Sequence, residues 1–156
     1  MAVKMICFDM DGTIADLYGV KNWERKLRKE NPSPYRFAKP LCNMKELRKV
    51  LIALQAQGIE IRVISWLSMN ASKKYKRETR YAKMGWLEKY HFPCDHFHGV
   101  AHGFRKHYCV KPYLNEGEEA VLIDDNQKVR ELWGLGATVD PTVTDIVEYL
   151  KGLLEG

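Results

Sequence analysis

The chain has 156 residues, 46% of them hydrophobic, and a formal net charge of +5. That length fits one domain with a single core, and the apolar content excludes a disordered chain. No apolar run is long enough to cross a bilayer, and the opening MAVKMICFDMDG lacks the pattern of a secretory leader, so the expectation is a soluble, cytoplasmic protein with no membrane partner.

Residues 3–8, VKMICF, are a short apolar run ending abruptly at DMDGT, which predicts a buried strand followed by a loop. Residues 14–42 are irregular: NWERKLRKE has the makings of a short helix, and NPSP and KP punctuate the residues after it. This stretch is too small for its own core and reads as a cap-like insertion within a single domain spanning 1–156.

Residues 43–57 form a helix, with Asn43 and Glu46 at capping-box spacing, a stripe of Leu47, Val50, Leu51 and Leu54, and Gly58 as the stop. IEIRVIS, 59–65, is a second strand ending at Ser65. A long polar helix follows over about 70–89, then a weakly alternating third strand over 96–102. AVLID, 120–124, is a fourth strand, again ending in acid. A helix over 126–133, a fifth strand in ATVD and a C-terminal helix complete the chain. Val143, Ile146, Val147, Leu150 and Leu154 fall at helical spacing in that last segment.

Strands alternating with helices predict an α/β fold, a Rossmann-like three-layer sandwich around a mostly parallel sheet. Ligands in such sheets bind beyond the carboxyl ends of the strands. Asp9, Ser65 and Asp124 stand at three of those predicted ends. A group of close carboxylates is tolerated when a hard cation neutralises it, and oxygen donors suit Mg²⁺.

The segments FDMDGTIADL, VIS at 63–65, a lysine between 100 and 112, and VLIDDN at 121–126 occur in an order that resembles the haloacid dehalogenase superfamily. DMDGTIADL is similar to the start of its small 5′-nucleotidase and deoxyribonucleotidase branch, and VLIDDN with VRELW is similar to its small phage-type members. The resemblance implies a Mg²⁺-dependent phosphomonoesterase with an aspartyl-phosphate intermediate. On that pattern Asp9 is the nucleophile, and Asp11 is the acid and then the base, its main chain also helping to bind metal. Thr13 and Ser65 hold phosphate, Asp124 binds metal, and Asp125 binds metal or orients the site. Two lysines compete for the phosphate-binding role. Lys106, in a glycine-containing turn just past the third strand, is better placed than Lys111 in VKPY.

The implied substrate is a small phosphorylated metabolite such as a nucleoside monophosphate. The alternatives are a polynucleotide end, a phosphoprotein, or a non-catalytic binding role. Nucleic acid is not favoured: Lys73, Lys74, Lys76, Arg77, Arg80 and Lys83 make the long helix basic, but a solvated helix face explains them without a partner. Cys94, His96, His98 and His102 have no recognised zinc spacing and do not predict a zinc site. Trp23, Tyr35 and Phe37 in the insertion either cover a substrate or pack the insertion onto the domain.

Overall fold

A computed structural model describes residues 2–156. Strand β1 (Ala2–Phe8) is followed by the short strand β2 (Ala15–Asp16), helices α1 (Trp23–Arg28) and α2 (Ser33–Phe37), and strand β3 (Lys39–Pro40). Then come α3 (Met44–Ala56), β4 (Glu60–Leu67), α4 (Lys73–Lys89), β5 (His96–Ala101), α5 (His107–Val110), β6 (Glu118–Ile123), α6 (Gln127–Trp133), β7 (Thr138–Val139) and α7 (Ile146–Glu155). Five parallel strands form one sheet in the order β5-β4-β1-β6-β7. This is a Rossmann-like α/β fold.

The three layers follow from residue alternation along the strands. Ile6 and Phe8 of β1, Ile61 and Val63 of β4, and Val121 and Ile123 of β6 pack with the apolar stripes of α3, α4 and α7. The intervening Met5, Cys7, Ile64, Ala120 and Leu122 pack with Val110 of α5 and Val129 and Trp133 of α6. Each large side chain fully buried in this way contributes about 1.5–3 kcal/mol. With apolar groups on both faces, the strands read as near-continuous hydrophobic runs.

Helix ends follow the capping signals. Asn43 accepts the Glu46 N–H, Ser72 the Tyr75 N–H, and Asn126 the Val129 N–H. Two boundaries differ from expectation. Ser65 does not end its strand; β4 continues to Leu67 because Trp66 and Leu67 keep their partners on β5. Val143 is 81% exposed in the turn before α7, whose stripe begins at Ile146 after the Asp145 cap. Among the described residues, no helix is long and apolar enough to cross a membrane.

The strand order reverses direction at β1, with later strands added on the β6 side. The crevice at that reversal, beyond the carboxyl ends of β1 and β6, is where an open parallel sheet offers a binding site. Between β1 and α3 the chain makes a small excursion, closed by antiparallel pairing of β2 with β3. The Trp86 indole N–H donates to the Ala38 carbonyl at 2.8 Å and fastens this excursion to α4.

Candidate active site

Asp9 directly follows β1, and its N–H still donates to Ile123 of β6 at 2.9 Å. Beyond it the backbone coils around one acceptor, the Met10 carbonyl, which receives the N–H groups of Thr13, Ile14 and Ala15. Gly12 makes this loop possible. Its φ is +83°, and a Cβ there would stand 2.4 Å from Asp125 Oδ2. Asp124 directly follows β6, which brings the two acids side by side.

One carboxylate oxygen from each of Asp9, Asp124 and Asp125 lies within 4.8 Å of the others. Lys106 reaches across this group, with Nζ 2.9 Å from Asp9 Oδ1 and 2.9 Å from Asp124 Oδ2. Burial alone would depress the Lys106 ammonium, but the charges of Asp9 and Asp124 outweigh it and hold the group above its ordinary value. Burial, then repulsion from Asp9, raises Asp124 to about 6. Burial, with hydrogen bonding to and repulsion from Asp9, raises Asp125 to about 7. Three carboxylates therefore face one ammonium. Asp9, Asp124 and Asp125 offer hard oxygen donors close enough together that they could hold a divalent cation.

Lys106 is buried, and two of its three N–H donors are engaged, so one remains for a ligand oxygen. Lys111 is exposed in the turn after α5 and forms no ion pair among the described residues. Of the two lysines, the structure places Lys106 beside Asp9 and Asp124.

Thr13 links two of the strand-end loops. Its hydroxyl is buried, donates to Asp9 Oδ2 at 2.9 Å and accepts the Asp125 N–H at 3.2 Å. Both are internal bonds. Thr13 therefore ties the β1 loop to the β6 loop and orients Asp9, supporting the loop through its hydroxyl.

The Asp11 carboxylate lies outside the acidic trio. It is paired with Lys83, whose Nζ is 2.8 Å from Asp11 Oδ2 and also donates to Ser65 Oγ at 2.7 Å and the Trp66 carbonyl at 3.0 Å. Burial raises Asp11 above the usual carboxylate range, against the lowering effect of Lys83. Grouping Lys83 with the surface charges of the long helix is therefore incorrect: it is fully buried. The signal was present in the spacing. Lys83 falls on the same α4 stripe as Tyr75, Thr79 and Trp86, all of them buried.

Above these groups opens a cavity of about 880 Å³. Tyr18, Trp23, Arg28 and Tyr35 line it from the excursion, and Trp66 and His102 from the sheet side. The Tyr18 and Trp23 rings meet edge to face at 5.0 Å, and the Trp66 and His102 rings lie 4.7 Å apart. Burial and the nearby carboxylates push the Tyr18 phenol up to about 12, so it is a donor at neutral pH. Phe37 does not reach this cavity and is 70% exposed.

Of the residues weighed as zinc ligands, the Cys94 thiol donates to the His96 main-chain carbonyl, His98 meets Arg62 at 3.1 Å, and the His102 ring lies tilted against Trp66.

No family model matches the chain, and no curated protein matches it. Solved structures share its fold, two of them as follows. One is a chain of a Pnkp1/Rnl/Hen1 complex, with 18% identity and a TM-score of 0.57 over 89% of this chain. The other is a chain of the Pnkp1/Rnl/Hen1 RNA repair complex, with 19% identity and a TM-score of 0.56 over 89% of this chain. The protein spans 45% and 42% of those chains, less than half of each.

Proposed function

We propose that this protein is a Mg²⁺-dependent phosphomonoesterase of the haloacid dehalogenase type, with Asp9 as nucleophile. The observation that carries the reading is the convergence of Asp9, Asp124 and Asp125 at the ends of the adjacent strands β1 and β6, with Lys106 reaching in from beyond β5. Asp9, Asp124 and Asp125 would hold the cation, which when bound withdraws negative charge from the phosphoryl oxygens.

The remaining chemistry belongs to the chain. Thr13 and Lys106 fix the Asp9 carboxylate, one oxygen each, so that it can attack phosphorus. As the new Asp9–phosphorus bond forms, the bond to the leaving oxygen breaks, and Asp11 gives that oxygen its proton. The Asp11 carboxylate then takes a proton from water, which attacks phosphorus, releases inorganic phosphate and restores Asp9. The free N–H of Lys106 and the hydroxyl of Ser65 are donors for the charge shared by the phosphoryl oxygens. Burial raises Asp11 and so favours the protonated start that this sequence needs.

For substrate, the aromatic lining of the cavity suits a small phosphorylated metabolite with a flat group, such as a nucleoside monophosphate. A second reading, a phosphorylated polynucleotide end, is favoured by the surface beside the cavity. Tyr75 in the first turns of α4 lines the cavity, while Lys73, Lys74, Arg77 and Arg80 expose positive charge along the same helix. The fold-sharing RNA repair chain is consistent with it.

The test compares phosphate release from nucleoside monophosphates, sugar phosphates and phosphorylated oligonucleotides in Mg²⁺, for wild type and Asp9→Asn, across a salt series. Turnover lost in Asp9→Asn supports the reading, and equal turnover in the variant refutes it. Preference for oligonucleotides, with activity falling steeply as salt rises, selects the second substrate class.

A further inference from the structure

Among the described residues, Lys83 is the one buried cation near the cavity that the proposed reaction leaves without a role. Its three N–H donors are all engaged, by Asp11 Oδ2 at 2.8 Å, Ser65 Oγ at 2.7 Å and the Trp66 carbonyl at 3.0 Å. Its ammonium also stands 4.6 Å from the centre of the Tyr35 ring. An ammonium has three donors and no acceptor, so Lys83 has nothing left to offer a phosphate oxygen. Lys106 contrasts with it, having two bonds to protein and one donor spare.

We infer that Lys83 is a positioning residue that sets the direction of the two groups it bridges, the Asp11 carboxyl and the Ser65 hydroxyl. This rests on the phosphomonoesterase reading of the same site. Lys83 occupies Asp11 Oδ2, and no described residue hydrogen-bonds Oδ1. The proton that Asp11 trades with the leaving oxygen is therefore carried on Oδ1. Lys83 likewise donates into a lone pair of Ser65 Oγ. The Ser65 hydroxyl hydrogen then cannot point toward Lys83 and is left to donate elsewhere, as the phosphate-holding role proposed for Ser65 requires. The Trp66 carbonyl contact holds the ammonium to β4, the strand that carries Ser65. One side chain from α4 thus couples the acid to a phosphate-holding hydroxyl.

The geometry accounts for the residue type. The ammonium must reach three acceptors from a fully buried position. Methionine keeps the length of the stem without any donor, and glutamine keeps part of the donor capacity. Both substitutions leave the rest of the buried α4 stripe in place.

The test uses Lys83→Met and Lys83→Gln, with folding checked by thermal melting so that the better-folded variant carries the measurement. In the first arm, kcat/KM is compared for glycerol phosphate, a poor leaving group that needs a proton, and p-nitrophenyl phosphate, which does not. The expected loss is about 100-fold for glycerol phosphate and under about tenfold for p-nitrophenyl phosphate. Equal losses for the two esters overturn the inference.

In the second arm, binding of inorganic phosphate is measured by calorimetry in the Ser65 and Ser65→Ala backgrounds. Loss of Lys83 weakens binding about tenfold when Ser65 is present and under about twofold when it is absent. The same weakening in both backgrounds overturns the inference. If the wild type turns over neither ester yet binds phosphate, the phosphomonoesterase reading fails while the binding arm still decides the role of Lys83. A wild type that neither turns over nor binds phosphate overturns both.

Discussion

Asp9 Oδ1 and Lys106 Nζ lie 2.9 Å apart although 97 residues separate them along the chain. The contact joins the end of β1 to the turn beyond β5, and the same ammonium reaches Asp124 at the end of β6. Three segments of the fold are held together at one charge.

Removing that charge should show in stability as well as rate. Lys106→Met leaves the Asp9 and Asp124 carboxylates buried without their cation, and breaking a buried pair of this kind costs about 3–5 kcal/mol. Turnover should fall by about 100-fold or more. Lys111→Ala, at an exposed position, should change both by little. Denaturant melts and phosphate release check the pair, and the reverse pattern would reassign the phosphate-binding lysine.

Gly12 should not accept a side chain. At φ +83° an alanine meets the left-handed penalty of about 1–2 kcal/mol. Its Cβ would also stand 2.4 Å from Asp125 Oδ2 and 2.9 Å from the Tyr18 ring. Gly12→Ala should therefore lower both the melting temperature and the activity, by displacing Asp125. A variant with wild-type melting and rate would show that the loop yields easily and does not fix Asp125.

The metal-free protein should lose stability as pH rises. Asp124 is raised to about 6 and Asp125 to about 7, both above the ordinary carboxylate value of 3.8. A carboxyl raised on folding binds more protons folded than unfolded, so its contribution is present at low pH and is lost as pH rises through the folded value. Melting temperature without divalent cation should fall between pH 5 and 8 by this route, as Asp125→Asn should reveal by flattening the slope. Mg²⁺ should restore more stability at the upper end of that range than at the lower, since protons compete with it for the same oxygens. A cation effect that is the same at both ends would contradict the assignment of these ligands.

Chelation tests the same oxygens by activity. EDTA should abolish phosphate release, and excess Mg²⁺ should restore it. Full turnover in EDTA would remove the metal from the account.

Much of the fold and site is legible in the chain. VKMICF and AVLID are apolar runs that stop at acids, and their two-sided burial in a parallel sheet is what such runs encode. The positions of Asp9 and Asp124 come with them, because a strand end fixes the place of the next residue. Lys106 is legible from its turn immediately beyond β5. A local reading cannot supply the direction of side chains across the cavity. The role of Thr13 depends on the Asp125 N–H, which is 112 residues away. Lys83 escapes a reading by composition, which weighs its charge together with that of its neighbours, whereas its helical phase places it on the buried side of α4. The end of β4 is misplaced at Ser65 because pairing with β5, not the sequence of β4 itself, extends the strand through Trp66 and Leu67.

If Asp9 is the nucleophile, it carries the phosphoryl group between the two half-reactions. Rapid acid quenching during turnover, followed by peptide mass spectrometry, tests it most directly. One added phosphoryl group is expected on the peptide containing Asp9, and none in Asp9→Asn. Turnover with the modification on another residue, or with Asp9→Asn still hydrolysing substrate at the wild-type rate, would contradict it.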